Sequence, residues 1–205
     1  QMADIHRLAE LGDEGVLALF SDSTNAEHEG FTRSEKEVGE TIEKAFKQAE
    51  QKIIVASFAS NFHRIQQVID AAQQFNRKIA LSGRSMLNNV DIAKDLGYLD
   101  IPEGILIDTN DVDKYPSDKV VLLTTGSQGE PMAALTRIAR GDHYHISVGD
   151  GDTVLVSATA IPGNAKAVGH TINQLFERGA DVIYEAITGV HVSGHASQEE
   201  LKLML

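Results

Sequence analysis

The order Ile53-Ile-Val55, Ser57-Phe-Ala-Ser-Asn61, a helix-length stretch over Asn61–Phe75 and then Lys78-Ile-Ala-Leu81 decides the fold. A short β-branched run, a polar turn, a helix and a second short apolar run make a strand-helix-strand unit, and a crossover of that length joins parallel strands. The alternation extends outward in both directions. Val16-Leu-Ala-Leu-Phe20 precedes the unit, and Val120-Val-Leu-Leu123, Val154-Leu-Val156 and Asp181-Val-Ile-Tyr184 follow it. These runs predict an α/β fold with a mainly parallel sheet flanked by helices, doubly wound.

Between the strands, Ser34-Glu-Lys-Glu37 has the S-x-x-E form of a capping box, and Val38, Ile42, Ala45, Phe46 and Ala49 then form one apolar stripe. Further helices are predicted over Ser85–Leu96, Glu130–Ile138 and Asn164–Arg178, with Pro131 suited to a first turn. The Pro- and Asp-bearing stretch Ile101–Asp118 reads as irregular chain around the short strand Ile105-Leu-Ile107. Gln198–Leu205 begins a helical pattern without a stop signal.

The chain has 205 residues, 42% of them hydrophobic, which is enough for one core and fits about 100–200 residues per domain. There is no apolar run of membrane length and no signal-like N-terminus, so a cytoplasmic protein is expected, without membrane partners. Zero cysteines exclude disulfides and thiolate metal sites. The formal charge of −12 argues against a broad basic surface coating nucleic acid, so any RNA must be gripped locally by amides, hydroxyls and a few arginines.

In open α/β sheets ligands bind beyond the carboxyl ends of strands, and the loops there are polar and rich in glycine. Each is also the ordinary vocabulary of caps and turns. Thr125-Gly-Ser-Gln-Gly-Glu130 looks like an amide cradle for phosphate, but it lacks the lysine of a P-loop. Arg84 follows a glycine at a strand end, where it would grip a phosphate bidentately or form a salt bridge at the helix start. His143-Tyr144-His145 has H-x-H spacing in a Gly- and Asp-rich connection and reads as a solvated hairpin before it reads as a zinc site. His195, between Gly194 and Ala196, suits acid-base work or phosphate contact. Asp22, at the end of the first apolar run, would hold that imidazole or serve as a turn residue.

Leu19-Phe-Ser-Asp-Ser-Thr-Asn25, Phe58-Ala-Ser-Asn-Phe-His-Arg64, Gly83-Arg-Ser-Met86, Thr125-Gly-Ser-Gln-Gly-Glu-Pro131, Ile161-Pro-Gly-Asn164 and Val192-Ser-Gly-His-Ala-Ser197 together resemble the ribonuclease J family, in the family's order and over nearly the whole chain. The resemblance implies a β-CASP domain inserted in a metallo-β-lactamase fold, in a two-metal phosphodiesterase acting as a 5′-to-3′ exonuclease and endonuclease on RNA. It implies that residues 1–205 are one β-CASP domain, with about 1–20 and 196–205 leading to and from the metal-binding domain. By motif, the resemblance implies that Asp22 and His195 are the catalytic acid and histidine, neither a primary metal ligand. Ser23, Ser60, Asn61, Arg84, Ser85, Gly126, Ser127, Gln128, Gly129, Ser193 and Gly194 would line the groove for RNA phosphates and a preferred 5′-monophosphate end. The family's H-x-H-x-D-H motif and its Pro-x-His-Gly-Glu segment do not occur here, so the two zinc or manganese ions are expected on the missing domain and this piece is expected to be inactive alone. The full-length protein is expected to be a homo-oligomer or a hetero-oligomer with a paralogue.

Two rival readings are a self-contained phosphate- or nucleotide-binding α/β module and a non-catalytic paralogue acting as scaffold. The missing ligand motifs generate a prediction. Calorimetry on the isolated 205-residue chain should find no tight, stoichiometric zinc or manganese site, and a site of one or two ions would contradict it.

Overall fold

Apolar side chains on both parities of each short strand require cover on both faces of a sheet. In a computed structural model describing residues 4–32, 34–130, 132–158, 160–161, 163–184 and 193–205, the predicted runs form β1 (Ile53–Ala56), β2 (Lys78–Ser82), β3 (Leu106–Ile107), β4 (Val120–Thr124), β5 (Thr153–Val156) and β6 (Asp181–Tyr184). They pair in the order β3-β2-β4-β1-β5-β6, every pair parallel. The chain divides into two compact units, Ser34–Val192, which carries this sheet, and Gln1–Arg33 together with Ser193–Leu205.

One face of the sheet presents Ile53, Val55, Ile79, Leu81, Val121 and Leu123 to α2 (Glu35–Gln48), α3 (Phe62–Gln74) and α4 (Arg84–Asp95). The other presents Ile54, Ala56, Ala80, Leu122, Val154 and Val182 to α5 (Ala134–Arg140) and α6 (Ala165–Glu177). The doubly wound architecture thus follows from the period of two along each strand. α2 begins where predicted, with Ser34 Oγ accepting from the Lys36 amide at 3.3 Å. Its first residue, Glu35, is tied to α3 by the fully buried Arg64, whose Nη2 donates to Glu35 Oε2 at 2.8 Å.

α5 starts at Ala134 rather than at Glu130, because residues 126–130 and 132–133 are held in turns. The Gly129 amide donates to the Gly126 carbonyl, the Ala133 amide to the Glu130 carbonyl, and Glu130 Oε2 accepts from the Gln128 amide. Pro131 lies outside the described residues.

In the smaller unit, α1 (Ile5–Glu14) is capped by Asp4, whose side chain accepts from the Arg7 amide at 3.0 Å. α1 was not anticipated from the sequence. The final helix, α7 (Gln198–Lys202), carries a reciprocal capping box between Ser197 and Glu200. The expected first strand, Val16–Phe20, does not form. The segment is irregular, with Leu17 and Phe20 fully exposed. Strand propensity cannot be realised without a hydrogen-bonded neighbour, and among the described residues no strand pairs with it.

Gly129 shows how tightly the loop after β4 is packed. Its φ is +71°, and a Cβ there would lie 2.5 Å from the backbone of Ala167 in α6. Gly169, in the same helix, has open space around it. One added methyl should therefore act with opposite signs. Gly129→Ala is expected to cost about 1–3 kcal/mol through overpacking and left-handed strain, and Gly169→Ala to gain up to about 1 kcal/mol from helix propensity. Urea unfolding measures both, and a neutral Gly129→Ala would refute the packing argument.

Candidate catalytic pair and anion pocket

Asp22 and His195 are 173 positions apart in the chain, yet His195 Nδ1 and Asp22 Oδ2 share a hydrogen bond. Both sit in irregular segments of the smaller unit, and Asp22 is not at a strand end, since residues 16–20 form no strand. The other oxygen, Asp22 Oδ1, accepts from the Thr24 amide at 2.9 Å and the Thr24 hydroxyl at 2.6 Å. The Thr24 hydroxyl, then His195, then the Thr24 amide hold the Asp22 carboxyl far below its ordinary value of 3.8. Asp22 is therefore an anion at any pH of interest and accepts a hydrogen bond from Nδ1–H, which leaves Nε2 as the working nitrogen. Among the described residues no hydrogen bond reaches Nε2.

No three His, Asp or Glu side chains among the described residues converge as a metal ion requires.

The second feature is a cavity of about 590 Å³ in the larger unit. β2 leads through α4 to β3, whereas β4 leads through α5 to β5, and α4 and α5 cover opposite faces. Adjacent strands whose connections diverge leave a crevice at their carboxyl ends. Ser82, Arg84, Ser85, Asn88, Thr125, Arg137 and His143 line it, and the described lining contains no Asp or Glu in a chain that has 30. Gly83, at φ +102°, lets the turn lie against Thr125, where a Cβ would meet Oγ1 at 2.5 Å. It also offers no side-chain cap, so the first amides of α4 are left for a ligand or water. Arg137 is oriented by Asp142, donating from Nη2 to its carbonyl at 2.9 Å. His143 Nε2 lies 3.2 Å from Ser82 Oγ, and burial, then Arg137 and His145, push its pKa down against the pull of Asp142.

The predicted groove residues divide. Arg84 and Ser85 line the cavity. Ser23 and Ser60 are exposed turn residues, and Asn61 caps α3 by accepting from the Arg64 amide at 3.1 Å. Ser127 and Gln128 are buried, and Gln128 Oε1 accepts from the Ile161 amide at 2.8 Å, so the loop containing Gly126 and Gly129 braces neighbouring chain rather than opening a cradle. Ser193 Oγ accepts from Asn25 Nδ2 and the His195 amide, beside an exposed Gly194. The sequence reading missed Arg137 and His143 as cavity residues. The H-x-H spacing marked His143, but the segment is irregular chain, not a hairpin.

A carboxyl whose pKa is lower folded than unfolded adds stability that is fully present above its unfolded value and is lost as pH falls from there through the lower folded value. For Asp22 nothing should titrate between pH 4 and 8, so its carboxyl ¹³C shift should be flat across that window. A midpoint at or above the ordinary 3.8 would show the carboxylate to be free of Thr24 and His195.

The family model described as "Ribonuclease J, beta-CASP domain" matches residues 50–175, more than half of the chain. Ribonuclease J of Helicobacter pylori is 48% identical over 202 residues, covering 98% of this chain and 29% of that protein. Ribonuclease J2 of Bacillus subtilis is 47% identical over 205 residues, covering all of this chain and 37% of that protein. Ribonuclease J of Mycolicibacterium smegmatis is 47% identical over 198 residues, covering 97% and 36%. The chain therefore spans about a third of the length of these relatives. With a parallel sheet beneath that match, this chain belongs to the ribonuclease J family, and its residues 50–175 match the β-CASP domain of that family.

Proposed function

We propose that this segment is the substrate-facing wall of a metal-dependent ribonuclease that cleaves RNA as a 5′-to-3′ exonuclease and an endonuclease in the cytoplasm, and that it is inactive alone. The observation that carries the reading is the Asp22–His195 pair, a carboxylate on Nδ1 with Nε2 left for substrate. Nε2 then contacts the scissile phosphate, where it stabilises developing charge or delivers a proton to the leaving oxygen. The zinc or manganese ions of the reaction are held outside this segment, whose own residues bind and orient the RNA.

The cavity between β2 and β4 takes the 5′-monophosphate end of the RNA. Support comes from two guanidiniums, open helix amides and the absence of carboxylates from the described lining. Such a pocket gives an acidic protein a local grip on a dianion, with Arg84 and Arg137 as the charged contacts and Ser85 as a hydroxyl donor.

In the full-length protein, His195→Ala should lower single-turnover cleavage by about 10²–10⁴-fold, the range for a positioned acid or base. Metal content and melting temperature should not change, and Asp22→Asn should act in the same direction but less. Loss of a metal ion from His195→Ala, or retained turnover, contradicts the assignment. The pocket is tested separately. At low salt the isolated chain should bind a 5′-phosphorylated oligonucleotide more tightly than its 5′-hydroxyl counterpart, and Arg84→Ala should erase the difference. Equal affinity for the two oligonucleotides in the unsubstituted chain would exclude the pocket as the 5′-end site.

A further inference from the structure

We propose that Asn25 and Ser193 form a positioning clamp that fixes the backbone of His195, so that Asn25 acts on the reaction through the histidine and the Ser193 hydroxyl is part of the scaffold rather than an RNA contact. The proposal rests on the reading of His195 as the residue that meets the phosphate. Asn25 Nδ2 donates to Ser193 Oγ at 2.8 Å and to the His195 carbonyl at 3.2 Å. A primary amide has two N–H groups, so both bonds are made at once. Ser193 Oγ in turn accepts from the His195 amide at 3.1 Å. The peptide groups on both sides of the His195 Cα are thereby held by one side chain and the hydroxyl it engages.

Thr32 Oγ1 also lies 3.1 Å from the His195 carbonyl, but a hydroxyl has a single proton. That proton goes to Glu200 Oε2 at 2.6 Å, the shorter and charge-assisted bond, and the same bond is the leading reason the Glu200 carboxyl sits below its ordinary range. Asn25 is left as the committed donor. It is also buried, while the Asp22 and His195 side chains are half-exposed, so its amide is directed into the protein rather than toward RNA. One turn, Asp22-Ser-Thr-Asn25, thus holds the histidine twice, Asp22 by the ring and Asn25 by the backbone. With both ends fixed, the direction of Nε2 is set before substrate arrives.

The test uses the full-length protein carrying this segment, with Asn25→Ala, Ser193→Ala, the double variant, Ser193→Thr and His195→Ala. Single-turnover cleavage of a 5′-phosphorylated RNA, KM and melting temperature are measured on each. Asn25→Ala and Ser193→Ala should each slow cleavage by about 10–100-fold, as expected for a misplaced reacting group, with KM within about threefold. The double variant should be no more than about threefold worse than the poorer single, because both substitutions break the same clamp. Ser193→Thr, which keeps the hydroxyl, should stay within about threefold of the unsubstituted protein. If Asn25→Ala does not fold, Ser193→Ala against Ser193→Thr carries the test. A loss confined to KM identifies an RNA contact and overturns the proposal, as do multiplying penalties or a lower melting temperature with turnover per folded molecule intact. Should His195→Ala itself retain activity, the reading of His195 fails and the clamp with it. If His195→Ala is inactive while Asn25→Ala and Ser193→Ala are not impaired, only the clamp fails.

Discussion

The hydrogen bond from His195 Nδ1 to the Asp22 carboxylate closes a loop of 173 positions, and the smaller unit of the chain depends on polar bonds of this kind. α1 and α7 bury no residues among those described, so little apolar area holds these segments together. Their order comes from hydrogen bonds. The Gln198 amide donates to the His28 carbonyl, the Glu199 amide to Gly30, and the Thr32 hydroxyl joins the capping box of Ser197 and Glu200. Each such bond is worth about 0.5–1.5 kcal/mol net, and exposed ion pairs less, so the arrangement is cooperative or it is absent. A site built this way gains direction from its partners: Asp22 is fixed by Thr24 before it fixes His195.

The larger unit obeys a different constraint. A parallel sheet buried on both faces must send every connection across one face or the other, and where α4 and α5 diverge the ends of β2 and β4 are left open. The chain carries 30 acidic side chains, yet the described lining of that crevice holds two arginines and no carboxylate. Net charge therefore describes the surface as a whole and says little about this one concavity.

Much of the larger unit was legible in the sequence because its signals are local. Val120-Val-Leu-Leu123 and Ile53-Ile-Val55 are too short and too β-branched to be helices, and the stripe from Val38 to Ala49 has helical spacing. Val16–Phe20 carried the same local signal and formed no strand, since pairing depends on a neighbour that local sequence does not specify. The glycines of Thr125-Gly-Ser-Gln-Gly-Glu130 were ambiguous for a related reason. A glycine marks close approach, and at Gly129 what approaches is the backbone of α6 rather than a phosphate. Arg137 and His143 reach the cavity from α5 and from an irregular connection, so no spacing rule links them to Arg84. The pairing of Asp22 with His195 was legible from the chemistry a working imidazole needs and from the family resemblance. The Asn25 grip was not, because an Asn after Ser-Thr looks like any turn residue.

If Asp22 holds His195 so that Nε2 meets the scissile phosphate, the geometry of a bound complex follows. A crystal structure of the full-length protein bound to a non-hydrolysable RNA tests it most directly. Nδ1 should stay on Asp22, with Nε2 within about 2.6–3.2 Å of a non-bridging or leaving oxygen of that phosphate. An Nε2 that ligates a metal ion, or that makes no contact with RNA while Asp22 is still bonded to Nδ1, would contradict it.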